Sequence, residues 1–494
     1  MSLDNLQKER VKKLKNIQRL GINPYPAKSN RKHPLEIARK MIGKKVVVSG
    51  RIRSLRPHGK ITFADIEDAS GKIQLFFSEQ ELPGESYEFL TNFDLGDFIQ
   101  ASGEVFKTQA GEISVRVSDY KLLTKSLRPL PSAWYGLKDV EERYRKRYLD
   151  LLMNTEIKDT FIKRTKIITA VRDFLDQRDF LEVETPTLQE IYGGANARPF
   201  KTRHNALGYD FFLKISDELY LKRLIIGGFE KVYEIDKDFR NEGIDRSHNP
   251  EFTMMECYWA YADYQDMMKL AEDLYSSVAM KVLGTTKITF AEHKIDLKAP
   301  WKRISMKEAI KKYVGVDVDE LTDQEIRALL KKNNLEPEDR PTLTGVAAGF
   351  NRGISIATLF ELVEPYLIQP TIVLDFPKET TVLCKQKESQ PELIERFEPY
   401  IAGFEVGNAY SELNDPMKQK EFFEEQLKAK KSGDEEAHPM DKAFLEAMEY
   451  GMPPTGGLGL GIDRMVMLLT NNPSIADVIL FPTLKPEKKG KKKV

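Results

Sequence analysis

Cysteine is nearly absent from this chain, with Cys257 and Cys384 as the only two among 494 residues. Two cysteines without paired spacing argue against a disulfide framework and against a cysteine zinc site. Long apolar runs are also missing, and the first residues lack the apolar core of a signal peptide. We therefore expect a cytoplasmic protein with no membrane partner.

Net charge is missing as well, because 76 Lys and Arg residues balance 76 Asp and Glu residues. The first sixty residues depart from this balance, with 17 basic against 3 acidic side chains. A polyanionic partner would therefore have to bind at this basic N-terminal end of the chain. Apolar residues at helical spacing predict a basic helix over residues 4–20, which either lies on a phosphate backbone or presents a solvated basic face.

Short alternating segments follow between residues 45 and 125, and they predict a small closed barrel of the oligonucleotide-binding kind. Arg51 and Arg53 on its first strand offer charge, Phe63 a stacking surface and Gln74 an amide. This combination suits an unpaired RNA loop. The same four residues would also serve as ordinary barrel surface or core.

The segment KVYEIDKDFRNEGIDRSHNPEFTMMECYWAY predicts an antiparallel hairpin with a long polar tip. Alternation places Arg240 and Glu242 on one face of its first strand. Phe252, Glu256 and Tyr258 share one face of its second strand. A guanidinium grips a phosphate and a ring stacks on a base, so this face suits a small-molecule platform. A solvated hairpin with a chance ion pair is the alternative.

Three further stretches carry candidate ligands. Glu398 and Glu405 stand seven residues apart across a short Ala-Gly turn, so we expect their carboxylates to face one another and to hold magnesium, or else to be solvated. Gly194 permits close backbone approach to a ligand. The segment TGGLGLGIDR has the wrong spacing for a dinucleotide fold. We interpret it as a glycine-lined strand that includes Gly461, with Arg464 aimed into the same site.

A family resemblance rests on these motifs. FRNE, RSHNPEF, TGGLGLGIDR and a helix-strand segment ending at Pro186, behind a small barrel, resemble the class II aminoacyl-tRNA synthetases of the subgroup that charges Lys, Asp or Asn. GGANARPF, DELYLKR and GNAYSELND are most similar to its lysine-charging members. The resemblance covers nearly the whole chain. It implies a ligase that attaches L-lysine to tRNA(Lys) with ATP, through a lysyl-adenylate, and releases AMP and pyrophosphate.

The resemblance also implies the architecture. We expect an α+β protein with a five-stranded OB-fold barrel and a large catalytic domain, whose central mixed, mainly antiparallel sheet is flanked by helices. The expected domains are, in order, a basic helical extension at 1–44, the anticodon-binding barrel at 45–125, a linker at 126–150, the catalytic domain at 151–486 with a mostly helical insertion at 301–368, and a basic tail at 487–494.

Residue roles carry over position by position. Arg240 and Arg464 would be catalytic, and Glu398 and Glu405 would hold Mg²⁺. The positions expected to bind ATP are Arg240, Glu242, His248, Asn249, Phe252, Glu398, Glu405, Gly461 and Arg464. The positions expected to bind lysine are Gly194, Glu218, Glu256, Tyr258, Asn408 and Glu412. Arg51, Arg53, Phe63 and Gln74 would meet the anticodon. A homodimer would form through residues 155–190, although the long helix there would equally suit a buried core.

Charge gives a separate check on the substrate. Glu218, Glu256 and Glu412 make the presumed pocket anionic, which fits an ammonium group on a long chain and repels an acidic one. The family's Ser-Pro pair is replaced here by Thr381 and Val382. The rival readings are a synthetase for Asp or Asn, an enzyme that attaches lysine to a protein, and a non-catalytic RNA-binding paralogue.

Overall fold

The computed structural model describes residues 3–131, 139–335, 351–431 and 439–487, except for the side chains of 429–431. The chain folds as two compact units, Met1–Lys138 and Asp139–Val494. The domain limits expected from the sequence stay a prediction. Within the described residues, no helix is both long and apolar enough to cross a membrane.

The first unit is a closed barrel whose strands pair in the order β1-β2-β3-β5-β4. Its strands are β1 Lys45–His58, β2 Ile61–Asp68, β3 Gly71–Ser78, β4 Phe98–Lys107 and β5 Ile113–Thr124. Its helices are α1 Leu3–Arg19, α2 Leu35–Arg39 and α3 Gly84–Glu88, and a 3₁₀ turn spans Phe89–Asn92. Alternate residues of each strand, such as Ala64 and Ile66, fill the interior. The five-stranded barrel is confirmed.

Part of the basic N-terminal helix serves this barrel. Arg10 is buried and donates hydrogen bonds to the carbonyl oxygens of Leu95 and Arg128 at 2.9 and 3.0 Å. Lys13 pairs with Asp94 at 2.8 Å. The remaining basic side chains of α1 are exposed, so either reading of that face stays open for them.

The second unit is built on a mixed sheet in the order β14-β15-β16-β18-β19-β11-β10-β6, with β17 paired to β16. Only the β14–β15 and β10–β6 pairs in this path are parallel. The strands are β6 Leu181–Glu182, β10 Lys231–Phe239, β11 Glu251–Ala260, β14 Lys302–Ser305, β15 Thr371–Pro377, β16 Leu393–Ile401, β17 Phe404–Glu405, β18 Gly407–Ser411 and β19 Thr455–Gly461. The expected mixed, mainly antiparallel sheet is confirmed.

Smaller sheets and helices complete this unit. The other strands are β7 Leu188–Gln189, β8 Lys201–His204, β9 Tyr209–Leu213, β12 Lys287–Phe290 and β13 His293–Asp296. The helices are α4 Val140–Arg145, α5 Arg147–Met153, α6 Thr155–Asp176, α7 Glu218–Ile226, α8 Tyr264–Leu283, α9 Met306–Val314, α10 Asp323–Lys332, α11 Arg352–Phe360, α12 Pro416–Lys431, α13 Lys442–Glu449, α14 Ile462–Thr470 and α15 Ile475–Val478, with 3₁₀ turns at Glu364–Tyr366 and Lys378–Thr380. Helix α4 and the first part of α5 thus fall in the stretch, residues 126–150, that was expected to be a linker.

Alternation along β11 separates the two faces of this sheet. Met255 and Cys257 point into the apolar core, where they join residues of α6, α8 and α14. Glu256 and Tyr258 point the other way and line a cavity. Because side chains alternate along a strand, the core fixes which residues the opposite face presents.

One local expectation was wrong. Strand β10 ends at Phe239, so Arg240 and Glu242 lie beyond the strand and do not share its face. The polar tip starts earlier than alternation alone predicts, although the amide of Arg240 still bonds the carbonyl of Pro250 at 2.9 Å. In the β16–β17 hairpin, Tyr400 stands directly opposite Glu405, and Glu398 lies two residues before Tyr400 on β16.

Candidate active site

A cavity of about 500 Å³ opens on the polar face of the sheet in the second unit. It brings together every site residue that the sequence predicts in this unit, namely Gly194, Glu218, Arg240, Glu242, His248, Asn249, Phe252, Glu256, Tyr258, Glu398, Glu405, Asn408, Glu412, Gly461 and Arg464. These residues come from chain segments that are far apart in sequence. Their roles stay predictions, but their convergence is a property of the fold.

The four barrel candidates lie elsewhere, half-buried on the outer side of the barrel strands. The guanidinium of Arg51 stacks over Phe98, 4.3 Å from the ring centroid, and Arg53 pairs with Glu67 at 2.9 Å. Phe63 packs beside Phe76, with ring centroids 5.3 Å apart. Gln74 accepts a hydrogen bond from Ser114 at 2.8 Å.

The hairpin supplies the aromatic and cationic side of the cavity. Arg240 lies over the ring of Phe252, 5.1 Å from its centroid, and its Nε is buried without a hydrogen-bond partner. Asn249 holds the tip in place, since its amide donates to the carbonyl of Glu251 at 2.6 Å and accepts from the backbone of Thr483 at 3.1 Å. His248 is exposed and pairs with Asp245 at 2.9 Å.

A partly buried ion pair ties the hairpin to two helices. Asp463, in the first turn of α14, accepts from the amide of Thr253 on β11 at 2.7 Å. The same carboxylate pairs with Arg164 of α6 at 2.5 Å. Arg164 also donates to the hydroxyl of Thr253 at 3.0 Å. These bonds fix the start of α14, and with it the position of Arg464.

One end of the cavity mixes carboxylates with arginines. Glu398 pairs with Arg396 at 2.5 Å and accepts from the hydroxyl of Tyr400 at 2.8 Å. Arg464 donates a hydrogen bond to the backbone carbonyl of Glu405 at 2.7 Å, and the carboxylate of Glu405 lies 3.5 Å from the same guanidinium. Burial, then the neighbouring Glu398, raises the pKa of Glu364 to about 7. Three acids against two arginines leave this end short of positive charge, and their hard oxygens suit a divalent cation such as Mg²⁺.

The other end is lined by three buried carboxylates. Glu218 accepts from the hydroxyl of Tyr410 at 2.7 Å, and Glu256 accepts from Ser216 at 2.8 Å and from Tyr258 at 3.2 Å. Burial raises the pKa of Glu256 to about 8. Glu412 reaches this end because residue 457 is glycine, since a Cβ there would lie 1.9 Å from its Oε1.

The sequence predicts an anionic pocket lined by three acids, but the structure also places the ammonium of Lys222 at this end. Its ammonium is fully buried, pairs with Glu218 at 2.5 Å and also contacts Glu412. Two of the three acids are therefore already bridged by a cation of the chain itself. Burial alone would lower the pKa of Lys222, but the two carboxylates outweigh it and raise that pKa.

A second acidic cluster lies behind the pocket. Asp217, Asp238 and Glu256 bring carboxylate oxygens within 4.8 Å of one another, the one such group of potential ligands in the described parts of the chain. Lys214 pairs with Asp217 at 2.6 Å. Neither oxygen of Asp238 accepts a hydrogen bond, and burial, then the charge of Asp217, raises the pKa of Asp238 well above its usual range. A proton on this cluster is the simplest way to balance it.

Sequence reasoning missed Lys222, Arg396 and Glu364. Each lines the cavity or touches a residue that does. Glu218 and Lys222 stand four apart on α7, which is a helical ion-pair spacing, but exposed helices show the same spacing. Arg396 is two residues from Glu398 on one strand, a signal that alternation could have supplied. Nothing local marks Glu364.

Comparison with known proteins gives two family matches. Residues 139–485 match the class II tRNA synthetases (D, K and N), and residues 46–123 match the OB-fold nucleic acid binding domain. A lysine–tRNA ligase of Clostridium novyi is 53% identical over 490 residues, which cover 98% of this chain and 95% of the relative. The ligases of the same name from Thermoanaerobacter pseudethanolicus and Carboxydothermus hydrogenoformans are 53% and 51% identical, again over 98% of this chain and over 97% and 99% of their own lengths.

Asp238 yields a pH-dependent prediction. A carboxyl whose folded pKa is raised costs stability once the pH rises above its unfolded pKa, so neutral Asp238→Asn should be more stable than the parent, by about 1–3 kcal/mol at pH 8. The gain should shrink as the pH falls to the ordinary pKa of 3.8 and below, because Asp238 is then increasingly protonated in the unfolded as well as in the folded chain. Thermal unfolding between pH 4 and pH 8 measures it.

Asp236 supplies the matched control on the same strand. It is half-buried and pairs with Lys214 at 2.9 Å; burial acts to raise its pKa, but the bond from Lys214 outweighs that and its pKa is lowered. Its stabilising effect is present above its unfolded pKa and lost as the pH falls through its folded pKa. Asp236→Asn should therefore lower stability at pH 8. Equal effects of the two substitutions would contradict the assignment.

Proposed function

This chain belongs to the class II tRNA synthetases of the aspartate, lysine and asparagine group, and we propose that it attaches L-lysine to tRNA(Lys) with ATP. The reaction passes through lysyl-adenylate and releases pyrophosphate and AMP. The observation that carries the choice of lysine is the cluster of buried carboxylates Glu218, Glu256 and Glu412 at one end of the cavity. Relatives at 50–53% identity are lysine–tRNA ligases.

The amine-binding end takes the substrate's two ammonium groups. Glu218, Glu256 and Glu412 supply opposite charge, and burial strengthens that attraction because water is excluded. Tyr258 and Asn408 complete the polar lining, and Gly194 leaves room beside Ser216, because a Cβ there would lie 2.7 Å from its Oγ. An acidic substrate would be repelled at this end.

The nucleotide occupies the hairpin side. Phe252 offers its ring to adenine, and Glu242 accepts from the adenine amino group. Arg240 grips the α-phosphate, and Arg464 and His248 meet the outer phosphates. Gly461 adds no side chain where the nucleotide lies against β19. Burial of the Arg240 Nε without a partner supports this assignment, because a phosphate oxygen would satisfy it.

The chemistry needs alignment and charge neutralisation. A carboxylate oxygen of lysine forms a bond to the α-phosphorus of ATP, and the bond from that phosphorus to the bridging oxygen breaks, so pyrophosphate leaves. A terminal ribose hydroxyl of tRNA then attacks the carbonyl carbon and gives up its proton, and AMP leaves with the bonding electron pair and can take up that proton on a phosphate oxygen. Arg240 and Arg464 stabilise the negative charge that develops on the phosphates, and we name no protein base.

Glu398 and Glu405 are the residues that would hold Mg²⁺. When bound, the ion would neutralise phosphate charge and orient the outer phosphates. The excess of acids over arginines at this end, together with the raised pKa of Glu364, supports a cation there. Arg396 keeps Glu398 pointed into the cavity.

The barrel would read the anticodon. Phe63 offers a ring on which the central base stacks, Gln74 offers an amide to its edge, and Arg51 and Arg53 face the backbone. We further propose a homodimer through residues 155–190, supported by the exposed apolar side chains of Ile162, Leu181 and Leu188. Charged tRNA is used in the cytoplasm, where we propose that the chain acts.

Exchange of radiolabelled pyrophosphate into ATP tests the proposed function. We expect exchange that depends on lysine, with aspartate and asparagine supporting less than about a thousandth of the lysine rate. The acidic pocket repels the side chain of aspartate, and the neutral side chain of asparagine leaves the buried carboxylates without an ammonium partner, each at a cost of a few kcal/mol. Exchange driven by aspartate or asparagine instead of lysine would refute the proposal.

Arg240→Ala should lower lysine-dependent exchange by about 100-fold or more, because it removes a donor to the α-phosphate. Lys237→Ala is the matched control, since Lys237 lies on the same hairpin outside the cavity and pairs only at 3.7 Å with Glu251. The control should keep nearly full exchange. Substantial exchange by Arg240→Ala would disprove its role.

Phe63→Ala should raise the KM for tRNA(Lys) by about tenfold in a charging assay, because one stacked base is worth about 1–3 kcal/mol. Exchange does not need tRNA, so the same variant should retain its exchange rate. That retention shows that the second unit still folds. An unchanged KM for tRNA would remove Phe63 from the anticodon site.

A further inference from the structure

Lys222 is a buried cation that contacts two carboxylates and lies near a phenol ring. Glu218 faces it from the same helix at 2.5 Å, and Glu412 contacts it from the segment after β18. Its ammonium lies 5.7 Å from the ring centroid of Tyr410, whose hydroxyl donates to the second oxygen of Glu218. The side chain is fully buried, so water does not share the charge.

The bridge fixes two groups that would otherwise repel each other. Carboxylates this close cannot both stay ionised in a buried site without a cation between them. Lys222 reaches one oxygen of each, and Tyr410 takes the other oxygen of Glu218. Glu412 is left with Oε1 directed toward Gly457, where a Cβ would lie 1.9 Å away. The bridge therefore sets the orientation of both carboxylates.

The net charge of the pocket also matches that of the proposed substrate's two ammonium groups. When all three carboxylates are ionised, they and the ammonium of Lys222 give the pocket a net charge of about −2. Lysine brings two ammonium groups, while its carboxylate belongs with ATP in the proposed reaction. A bound ammonium favours the ionised form of Glu256 beside it. Without Lys222, the same substrate would leave one acid unbalanced.

We propose that Lys222 is a specificity-determining positioning residue, a built-in ammonium that orients Glu218 and Glu412 and matches the pocket's charge to a substrate with two amines. This role rests on the proposed function. This role is distinct from simply holding α7 in place, which an ion pair outside the cavity also does. Arg223, the next residue, pairs with Asp441 at 2.6 Å and does not line the cavity.

The test compares Lys222→Met with Arg223→Met in lysine-dependent pyrophosphate exchange. For Lys222→Met we expect the KM for lysine to rise about 10- to 100-fold, as for loss of one partner of a buried charge pair, with the KM for ATP within about twofold. Arg223→Met should change both constants little or equally. A lysine KM within about twofold of the parent, or parallel rises in both constants, would overturn the proposal.

The pH dependence of kcat/KM for lysine is a second measurement, and a simple loss of folded protein would not shift it. The ammonium of Lys222 lowers the pKa of the buried Glu412, so removing it raises that pKa further, and the acid limb of kcat/KM for lysine should shift to higher pH by about one unit or more. The groups that face the bridge are Glu218, Glu256, Tyr258, Cys384, Tyr410 and Glu412. An unshifted limb would overturn the proposal.

Lys222→Arg covers the case in which Lys222→Met does not fold. It keeps the charge and changes the geometry, so the limb should stay in place while the KM for lysine alone rises. An unchanged lysine KM in Lys222→Arg would then decide against the role. If the parent itself exchanges with another amino acid and not with lysine, the proposed function fails and this inference falls with it. Parent exchange with lysine and unaffected variants would defeat the inference alone.

Discussion

A carboxylate is stable in a protein interior only when a cation or several donors stand beside it, and the cavity of this chain is built within that constraint. Lys222 bridges Glu218 and Glu412, and Arg396 holds Glu398. Each cation restricts the carboxylate that it meets to one orientation. The cost of burying the charges is thus offset by interactions that also set the geometry of the site.

The alternation of the sheet makes such a site possible. On β11 the residues that point one way are apolar and join a core with α6, α8 and α14, while Glu256 and Tyr258 point the other way. A slip of one residue would exchange the two sets and bury acids among methionines and leucines. The core therefore fixes the register, and the register fixes which acids reach the cavity.

The local part of this organisation was predictable. The hairpin, the glycine-lined strand β19 and the barrel follow from alternation and turn residues, which are properties of neighbouring positions. The end of β10 at Phe239 was missed because no turn residue separates the strand from the start of the polar tip. The bridge between Lys222 and Glu412 could not be predicted, because it joins positions 190 apart that only the folded sheet brings together. The charge of the pocket was therefore overestimated from sequence.

That correction strengthens the case for selection between substrates. Neither oxygen of Glu412 accepts a hydrogen bond with good geometry, although Lys222 lies against one of them. A neutral side chain of the same length would leave this buried carboxylate unmet, and a site that loses such a partner discriminates far more strongly than one that loses a methylene. An acidic side chain would add repulsion to that loss. An anionic pocket with one internal cation thus disfavours both wrong classes, each for a different physical reason.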